Sequence, residues 1–385
     1  MRVHLGGGSY IGAALQLAIG RKPRELSSAG RLYLDHAATT PVLPEARAAM
    51  ANALENWANP SSPHADGRAA RGALEHARGE IAEALGWRHD VIFTSGATEA
   101  IAIVGSRARV GGRVMGPTEH DAVGSVMGPD AILLPVDRNG LIELSALDSA
   151  LAAGPAVVAI QQVNNETGVI QPLAEIAERV RAAGSLLLAD CAQGAGKMPL
   201  PDADFIVVAS HKIGGPPGFG ALLVKDMATL APSGGQEKGY RRGTENLPAA
   251  AGLAAALRSR AFADAMPRLE ALRRKLEEAL VDAGGIVIAA DAKRSPAIGA
   301  YAMPGVASAS QLVQFDLAGI SASAGSACSS GSMKPSRVLE AMGIPPEVAA
   351  SAVRVSFGPD TSEADVDRFI AEWRRIHDRA ASRAA

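Results

Sequence analysis

Between about residue 70 and residue 225, short apolar runs alternate with amphipathic stretches, and this alternation most constrains the fold. The stretch 173–180 has apolar residues at spacings of three and four, which is typical of an amphipathic helix. Buried strands are predicted for the runs 91–94, 156–163, 185–189, 205–208 and 220–224. This βαβ order predicts an α/β fold with a mainly parallel sheet that helices cover on both faces.

The chain is longer than one hydrophobic core usually serves, so we expect two domains. After Pro248 the sequence is alanine-rich and predicted helical to about residue 283, and strands are predicted at 297–303, around Ile320 and at 353–355. We therefore expect a large domain over 48–265 and a smaller α+β domain built from 31–47 and 266–385. Residues 1–30 are predicted to be a disordered N-terminal extension.

Composition excludes several function classes. The net charge of −2 gives no electrostatic reason to expect nucleic-acid binding, and no run of eighteen apolar residues predicts a membrane span. The two cysteines, Cys191 and Cys328, do not form a disulfide framework, which fits a reducing, cytoplasmic location.

Functional groups follow two of the predicted strands. Asp190 ends one apolar run, and Lys212 follows the next, just before a glycine-rich turn at 214–218. Open α/β sheets bind ligands at this end of their strands. A lysine there can form a Schiff base with an aldehyde cofactor, and an aspartate can pair with a pyridinium nitrogen. These are the two groups that pyridoxal 5'-phosphate (PLP) most needs.

Ten short motifs occur in one order along the chain. They are 33–41 (YLDHAATTP), 59–64 (NPSSPH), 93–99 (FTSGATE), 118–120 (TEH), 163–168 (VNNETG), Asp190 with Gln193, 210–212 (SHK), 241–246 (RRGTEN), 325–328 (GSAC) and 354–356 (RVS). Together they resemble the cysteine desulfurases of the class-V aminotransferase family, in particular the long-loop group. The resemblance runs from Tyr33 to about Glu372 and implies the fold-type I architecture of PLP-dependent transferases.

The resemblance also implies a set of cofactor contacts. The implied cofactor-binding residues are Ala97, Thr98, His120, Asn165, Asp190, Gln193, His211, Lys212 and Thr244. Ala97 and Thr98 open a helix directly after a strand, which is a natural anion site for the phosphate. Thr244 is implied to reach the partner's site in a homodimer. His120 is implied to stack on the ring and move protons, and Arg354 is implied to bind the substrate carboxylate together with Asn165.

Cys328 decides which reaction is implied. It lies among small residues at 323–332 without a hydrophobic anchor, so an exposed, reactive thiol is expected. With catalytic Lys212 and His120, the resemblance implies removal of sulfur from L-cysteine, giving L-alanine and a persulfide on Cys328. The sulfur would pass to an iron–sulfur scaffold or another acceptor protein. Cys328 is a candidate transient iron–sulfur ligand, and no intrinsic metal is expected. Cys191 is interpreted as a bystander.

Three positions depart from the family pattern. Ala37 replaces a common Asn, Ala209 replaces a Ser that often contacts the phosphate, and Pro217 replaces a common Lys or Gln. These changes affect the expected cofactor affinity and leave the reaction in place. Two alternatives stay open: a selenocysteine lyase or another class-V enzyme, and an inactive scaffold partner in iron–sulfur assembly.

Overall fold

The computed structural model describes residues 30–324 and 336–384. Cys328 and nearly all of the predicted N-terminal extension lie outside the described residues. Within the described ranges, no helix is long and apolar enough to cross a membrane.

A seven-stranded sheet forms the centre of the fold. Its strands, in spatial order, are β2 (Asp90–Thr94), β8 (Gly220–Val224), β7 (Phe205–Ala209), β6 (Leu186–Asp190), β5 (Ala156–Gln161), β3 (Gly112–Met115) and β4 (Ile132–Leu133). All neighbouring pairs are parallel except the two that β8 makes. The predicted α/β class with a mainly parallel sheet is confirmed.

Strand β8 runs antiparallel because its connection to β7 is short. Only residues 210–219 lie between the two strands. A parallel neighbour needs a crossover of about a dozen residues or more, usually with a helix. The short connection instead turns the chain back beside β7, with Gly214 at a φ of 80°. An added Cβ there would lie 2.5 Å from Leu43 Cγ, so this turn requires glycine.

Helices cover both faces of this sheet. They are α1 (Pro44–Glu55), α2 (Ala65–Ala84), α3 (Ala97–Arg107), α4 (Asp121–Met127), α5 (Leu144–Leu151), α6 (Leu173–Ala182) and α7 (Leu247–Arg258). One apolar core joins Leu74 of α2, Ile176 of α6 and Leu253 of α7 to the sheet. A second core lies on the other face and contains Ile101 of α3 and Val123 of α4.

The remaining elements pack around two smaller sheets. They are α8 (Ala261–Asp282), β9 (Ile286–Val287), β10 (Ile298–Ala302), α9 (Ser308–Leu317), β11 (Ile320–Ser321), α10 (Arg337–Ala341), α11 (Pro346–Ala349), β12 (Ala352–Ser356) and α12 (Glu363–Ala384). Strands β12, β10 and β9 form an antiparallel sheet, and β11 pairs in parallel with β1 (Leu32–Tyr33). Leu34, Leu276 and Trp373 share one core here.

The predicted helical stretch after Pro248 is two helices. Helix α7 ends at Arg258 and α8 begins at Ala261, with Arg260 between them at a φ of 53°. Helix α8 continues through the predicted domain boundary at 265/266. That boundary, and the division into 48–265 and 31–47 with 266–385, therefore stay a prediction.

Candidate functional site

A cavity of about 560 Å³ lies at the carboxyl ends of the central strands. Nine predicted site residues line it: Ala97, Thr98, His120, Asn165, Asp190, Gln193, His211, Lys212 and Arg354. Thr244 instead lines a neighbouring cavity of about 190 Å³, which shares Ser95 and Gly218 with the larger one. Predicted residues that are up to 257 positions apart (Ala97 and Arg354) thus converge on one site.

Lys212 is held in place by the segment that begins the described chain. It ends the 3₁₀ turn Ser210–Lys212, which follows β7 directly. The Thr40 N–H donates to the His211 carbonyl at 2.8 Å, and the Thr40 hydroxyl donates to the Lys212 carbonyl at 3.3 Å. Burial lowers the pKa of the Lys212 amine, and Arg354 lowers it further against the opposing effect of Asp190 and Asp35. The lowered pKa makes this amine a better nucleophile.

Asp190 is the last residue of β6 and is buried. Its Oδ1 accepts the Ala192 N–H at 2.9 Å, and this hydrogen bond fixes the orientation of the carboxylate. Beside it, the Gln193 amide nitrogen donates to the Ala37 carbonyl at 2.8 Å. The Gln193 Oε1 is buried and has no hydrogen-bond partner among the described residues. A buried acceptor of this kind is costly unless a bound group satisfies it.

The start of helix α3 faces the same cavity. Gly96 precedes the helix at a φ of 152°, and no side chain caps it. The first amides of the eleven-residue helix are therefore available to an anion, and Thr98 adds a hydroxyl. An added Cβ on Gly220 would lie 2.9 Å from Gly96 Cα, so the close approach of β8 to this turn requires glycine.

His120 and His211 are the imidazoles of the site. His120 Nδ1 accepts the Ala122 N–H at 3.2 Å at the start of α4, which leaves Nε2 as the nitrogen free for chemistry. Burial lowers the pKa of His211 to about 4, with Lys212 and Lys197 adding to the effect. His211 is therefore neutral at pH 7 and can accept or donate a hydrogen bond without carrying charge.

Two of the three departures from the family pattern alter the cavity wall. Ala37 and Ala209 line it with methyl groups, whereas exposed Pro217 does not line it. Ser210 does not replace the missing hydroxyl. Its Oγ is buried without a partner among the described residues and lies 2.2 Å from where a Cβ on Gly215 would sit.

The sequence did not reveal two acidic residues that support the site. Asp35 lines the cavity and accepts a hydrogen bond from Arg354. Glu119 is fully buried, and its Oε1 accepts the Gln161 N–H at 2.9 Å. Burial raises the pKa of Glu119, and Asp190 raises it further. Both residues belong to predicted motifs, but only the fold brings them into contact with their partners.

Cys191 has the environment of an unreactive thiol. It is completely buried, and burial together with Asp190 raises its pKa well above the usual value. Thiolate is the reactive form of cysteine, so Cys191 is poorly suited to attack a substrate. Cys328 lies outside the described residues, and its role stays a prediction. No cluster of three or more metal-ligating side chains occurs in the described ranges.

Comparison with known proteins decides the family. The model for "Aminotransferase class-V" matches residues 32–369. The chain belongs to the class-V aminotransferase family. Its predicted likeness to cysteine desulfurases is also confirmed. A cysteine desulfurase of Gluconacetobacter diazotrophicus is 36% identical over 365 residues, which cover 88% of this chain and 91% of that protein.

Solved structures agree with this family. A NifS-like protein from Rickettsia africae is 31% identical with a TM-score of 0.80, and the match covers 90% of this chain and 99% of that one. A structure described as SspA in complex with cysteine is 27% identical with a TM-score of 0.73, covering 86% and 100%. The expected fold-type I architecture is confirmed, and the chain is an enzyme of the cysteine desulfurase kind.

Proposed function

We propose that the protein uses PLP to remove sulfur from L-cysteine, producing L-alanine and a persulfide on Cys328. The observation that carries this proposal is the convergence of Lys212, Asp190 and Arg354 on one cavity. These side chains supply an amine, a carboxylate and a guanidinium, which suit an aldehyde, a pyridinium nitrogen and a substrate carboxylate. The curated relative that is 36% identical carries the same activity in its name.

The residues of the cavity fit this cofactor. The first turn of α3 and Thr98 would hold the phosphate, with His211 beside them. Lys212 would hold the aldehyde carbon, and Asp190 would hold a proton on the ring nitrogen. The unsatisfied Gln193 Oε1 would accept a hydrogen bond beside the ring oxygen, and the Asn165 side-chain amide would accept or donate next to it. When bound, PLP withdraws electrons from the substrate α-carbon.

Arg354 and Asn165 would position the substrate. Arg354 is 4% exposed, lines the cavity, and has a buried Nε without a partner among the described residues. A guanidinium matches the planar geometry of a carboxylate and stays charged at every physiological pH. Lys212 and His120 line the same cavity as this group, so either could move a proton of an amino acid bound there.

His120 and Lys212 would share the proton transfers. Because His120 Nδ1 accepts the Ala122 N–H, the Nε2 of the neutral ring carries the proton and is the atom that can give it. Burial lowers the pKa of Lys212 and so favours its neutral amine, which is the form that can accept a proton. Neither group requires a large movement of the backbone, since both follow short turns fixed by hydrogen bonds.

Sulfur transfer would use the Cys328 thiolate. Its sulfur forms a bond with the substrate sulfur while the substrate carbon–sulfur bond breaks, and the carbon then takes a proton to become alanine. Two thiols thus become one persulfide and one C–H bond, so no external oxidant is needed. The persulfide would pass to an iron–sulfur scaffold or another acceptor. The contribution of Thr244 to a partner's site in a homodimer belongs to the same proposal.

Release of L-alanine from L-cysteine tests this function. Wild-type protein supplied with PLP should show visible absorbance from lysine-bound cofactor and should form alanine and reducible sulfur in equal amounts. Lys212→Ala should lose both signals, whereas Lys225→Ala, an exposed lysine paired with Asp202, should keep them. Alanine formation by Lys212→Ala at the wild-type rate would contradict the assignment. Reaction with selenocysteine alone would favour the lyase alternative.

A further inference from the structure

A second cavity lies directly behind the proposed cofactor site. Its volume is about 370 Å³, within the range of about 300–1,000 Å³ that small-molecule sites occupy. Its wall includes Gln193 and Lys197 after β6, Met266 and Arg273 of α8, and the segment 292–296. Gln193 also lines the cofactor cavity, so the two cavities share this residue.

Lys197 lines this second cavity as a buried cation without an anionic partner. It is 6% exposed, and its Nζ forms no hydrogen bond or ion pair with any residue that the structure describes. Among the described residues, Nζ faces the ring of Phe262, whose centroid lies 4.5 Å away. Burial, together with the charge of Lys212, lowers the pKa of Lys197 to about 7. An isolated ammonium in such a place is costly unless a ligand pairs with it.

The neighbouring groups do not supply the missing anion. His36 lies near Lys197, but burial and Lys197 lower the pKa of His36 to about 4, so the imidazole is neutral. Glu277 is already shared by two guanidiniums, at 2.9 Å from Arg273 Nη1 and 2.6 Å from Arg294 Nη1. Together, Glu277, Arg273 and Arg294 carry a net positive charge. The Nε atoms of both arginines are buried and have no acceptor among the described residues.

The rest of the wall is largely apolar. Ile170, Met198 and Met266 contribute hydrocarbon and thioether surface. Lys293 and Glu270 also line the cavity, are exposed, and carry opposite charges. An occupant that suits this wall has one negative charge and an apolar body. A phosphate dianion would leave the apolar surface uncovered and would meet only one unpaired ammonium.

We propose that this second cavity binds a small organic carboxylate, with its carboxylate on Lys197 Nζ and its apolar body against Met198 and Met266. The site is separate from the cofactor cavity and does not require cysteine turnover. Its ligand class follows from one buried ammonium, two partly satisfied guanidiniums and an apolar wall. Gln193 gives the site a direct contact with the cofactor cavity.

Binding of hexanoate to the PLP-loaded protein tests the proposal by calorimetry. Wild-type protein should bind hexanoate, and Lys197→Met should weaken it about ten- to a hundredfold, because one charge-assisted contact is lost. Lys197→Arg should keep most of the affinity. Lys293→Met is the matched control and should change little, since exposed charges contribute weakly. No binding by wild-type protein, or equal binding by Lys197→Met, would overturn the proposal.

A labelling experiment keeps the test valid if Lys197→Met does not fold. N-hydroxysuccinimidyl acetate acylates accessible amines, and mass spectrometry locates the label. Hexanoate should protect the peptide that holds Lys197 and leave labelling of the Lys293 peptide unchanged. Equal labelling of Lys197 with and without hexanoate would contradict the site. Stronger protection by inorganic phosphate than by hexanoate would contradict the ligand class. Alanine formation, measured in parallel, reports on the proposed function independently.

Discussion

Arg354 Nη2 lies 2.7 Å from Asp35 Oδ1, although the two residues are 319 positions apart in the chain. The Arg354 Nη1 donates to the Asn165 carbonyl at 3.0 Å. Both terminal nitrogens of the guanidinium are thus fixed before any substrate arrives. Asp35 also lines the cavity, so it orients Arg354 and balances its charge at the point where a substrate carboxylate is expected to bind.

Arg354→Ala should weaken the use of L-cysteine. A hydrogen bond to a charged group contributes about 1.5–3 kcal/mol, so KM should rise about ten- to a hundredfold. The absorbance of lysine-bound PLP should remain, because Lys212 and Asp190 are unchanged. Steady-state kinetics together with the visible spectrum measure both effects. An unchanged KM would mean that another residue binds the carboxylate.

Asp35→Asn should act through Arg354. Asparagine keeps an acceptor oxygen but removes the charge, so Arg354 should be less firmly oriented. Substrate binding should then lose about 1 kcal/mol, and KM should rise about fivefold. In the Arg354→Ala background the same change should have little effect, because the group that it orients is absent. A double-mutant cycle measures this coupling. Equal effects in both backgrounds would show that Asp35 acts independently of Arg354.

Thr244 provides a test of a site shared between subunits. Thr244→Ala and Lys212→Ala should each be impaired as homodimers. When the two are co-expressed, each mixed dimer should contain one site with an intact Lys212 and the partner's intact Thr244. Random pairing should restore about a quarter of wild-type activity. No restoration in isolated mixed dimers, or full activity of a monomer by light scattering, would contradict the shared site.

Because of Lys197, the free energy of unfolding should depend on pH in the neutral to alkaline range. The pKa of Lys197 is lowered in the folded state to about 7 from 10.5, so between these values the unfolded chain binds the extra proton. The free energy of unfolding should therefore rise with pH in this window, by at most about 1.4 kcal/mol per pH unit. Urea denaturation of wild type and Lys197→Met, both loaded with PLP, isolates this contribution. An identical pH dependence in the two proteins would contradict the burial of an unpaired Lys197.

Apolar runs predicted five strands of the large sheet, β2, β5, β6, β7 and β8, because their residues are almost all buried. They did not predict β3 and β4 at one end of the sheet, where several residues are exposed and no long apolar run forms. The ends of the predicted strands indicated that Asp190 and Lys212 lie close together, and both residues line one cavity. The direction of β8 was not predicted, although the length of the 210–219 connection contains the signal. The break at Arg260, which has a φ of 53°, has no glycine or proline to mark it in the sequence.

The sequence could not predict the contacts that support the site. Asp35 and Arg354 lie at opposite ends of the chain, and only the fold joins them. Lys197 has no local sign of burial, since it is a charged residue between a glycine and a proline-containing stretch and lies in no helix or strand. The resemblance to a family supplied roles for individual residues. Other features depend on three-dimensional packing. These are the charged contacts, the buried acceptors without a partner among the described residues, and the wall shared by the two cavities.

The most direct test of the account is the location of sulfur after brief exposure of the wild-type protein to L-cysteine. Mass spectrometry should find one extra sulfur on the peptide that holds Cys328 and none on the peptide that holds Cys191, whose thiol is buried and has a raised pKa. Cys328→Ser should still bind cysteine, seen as a change in cofactor absorbance, but should form no persulfide or alanine. Extra sulfur on Cys191, or full turnover by Cys328→Ser, would contradict the account.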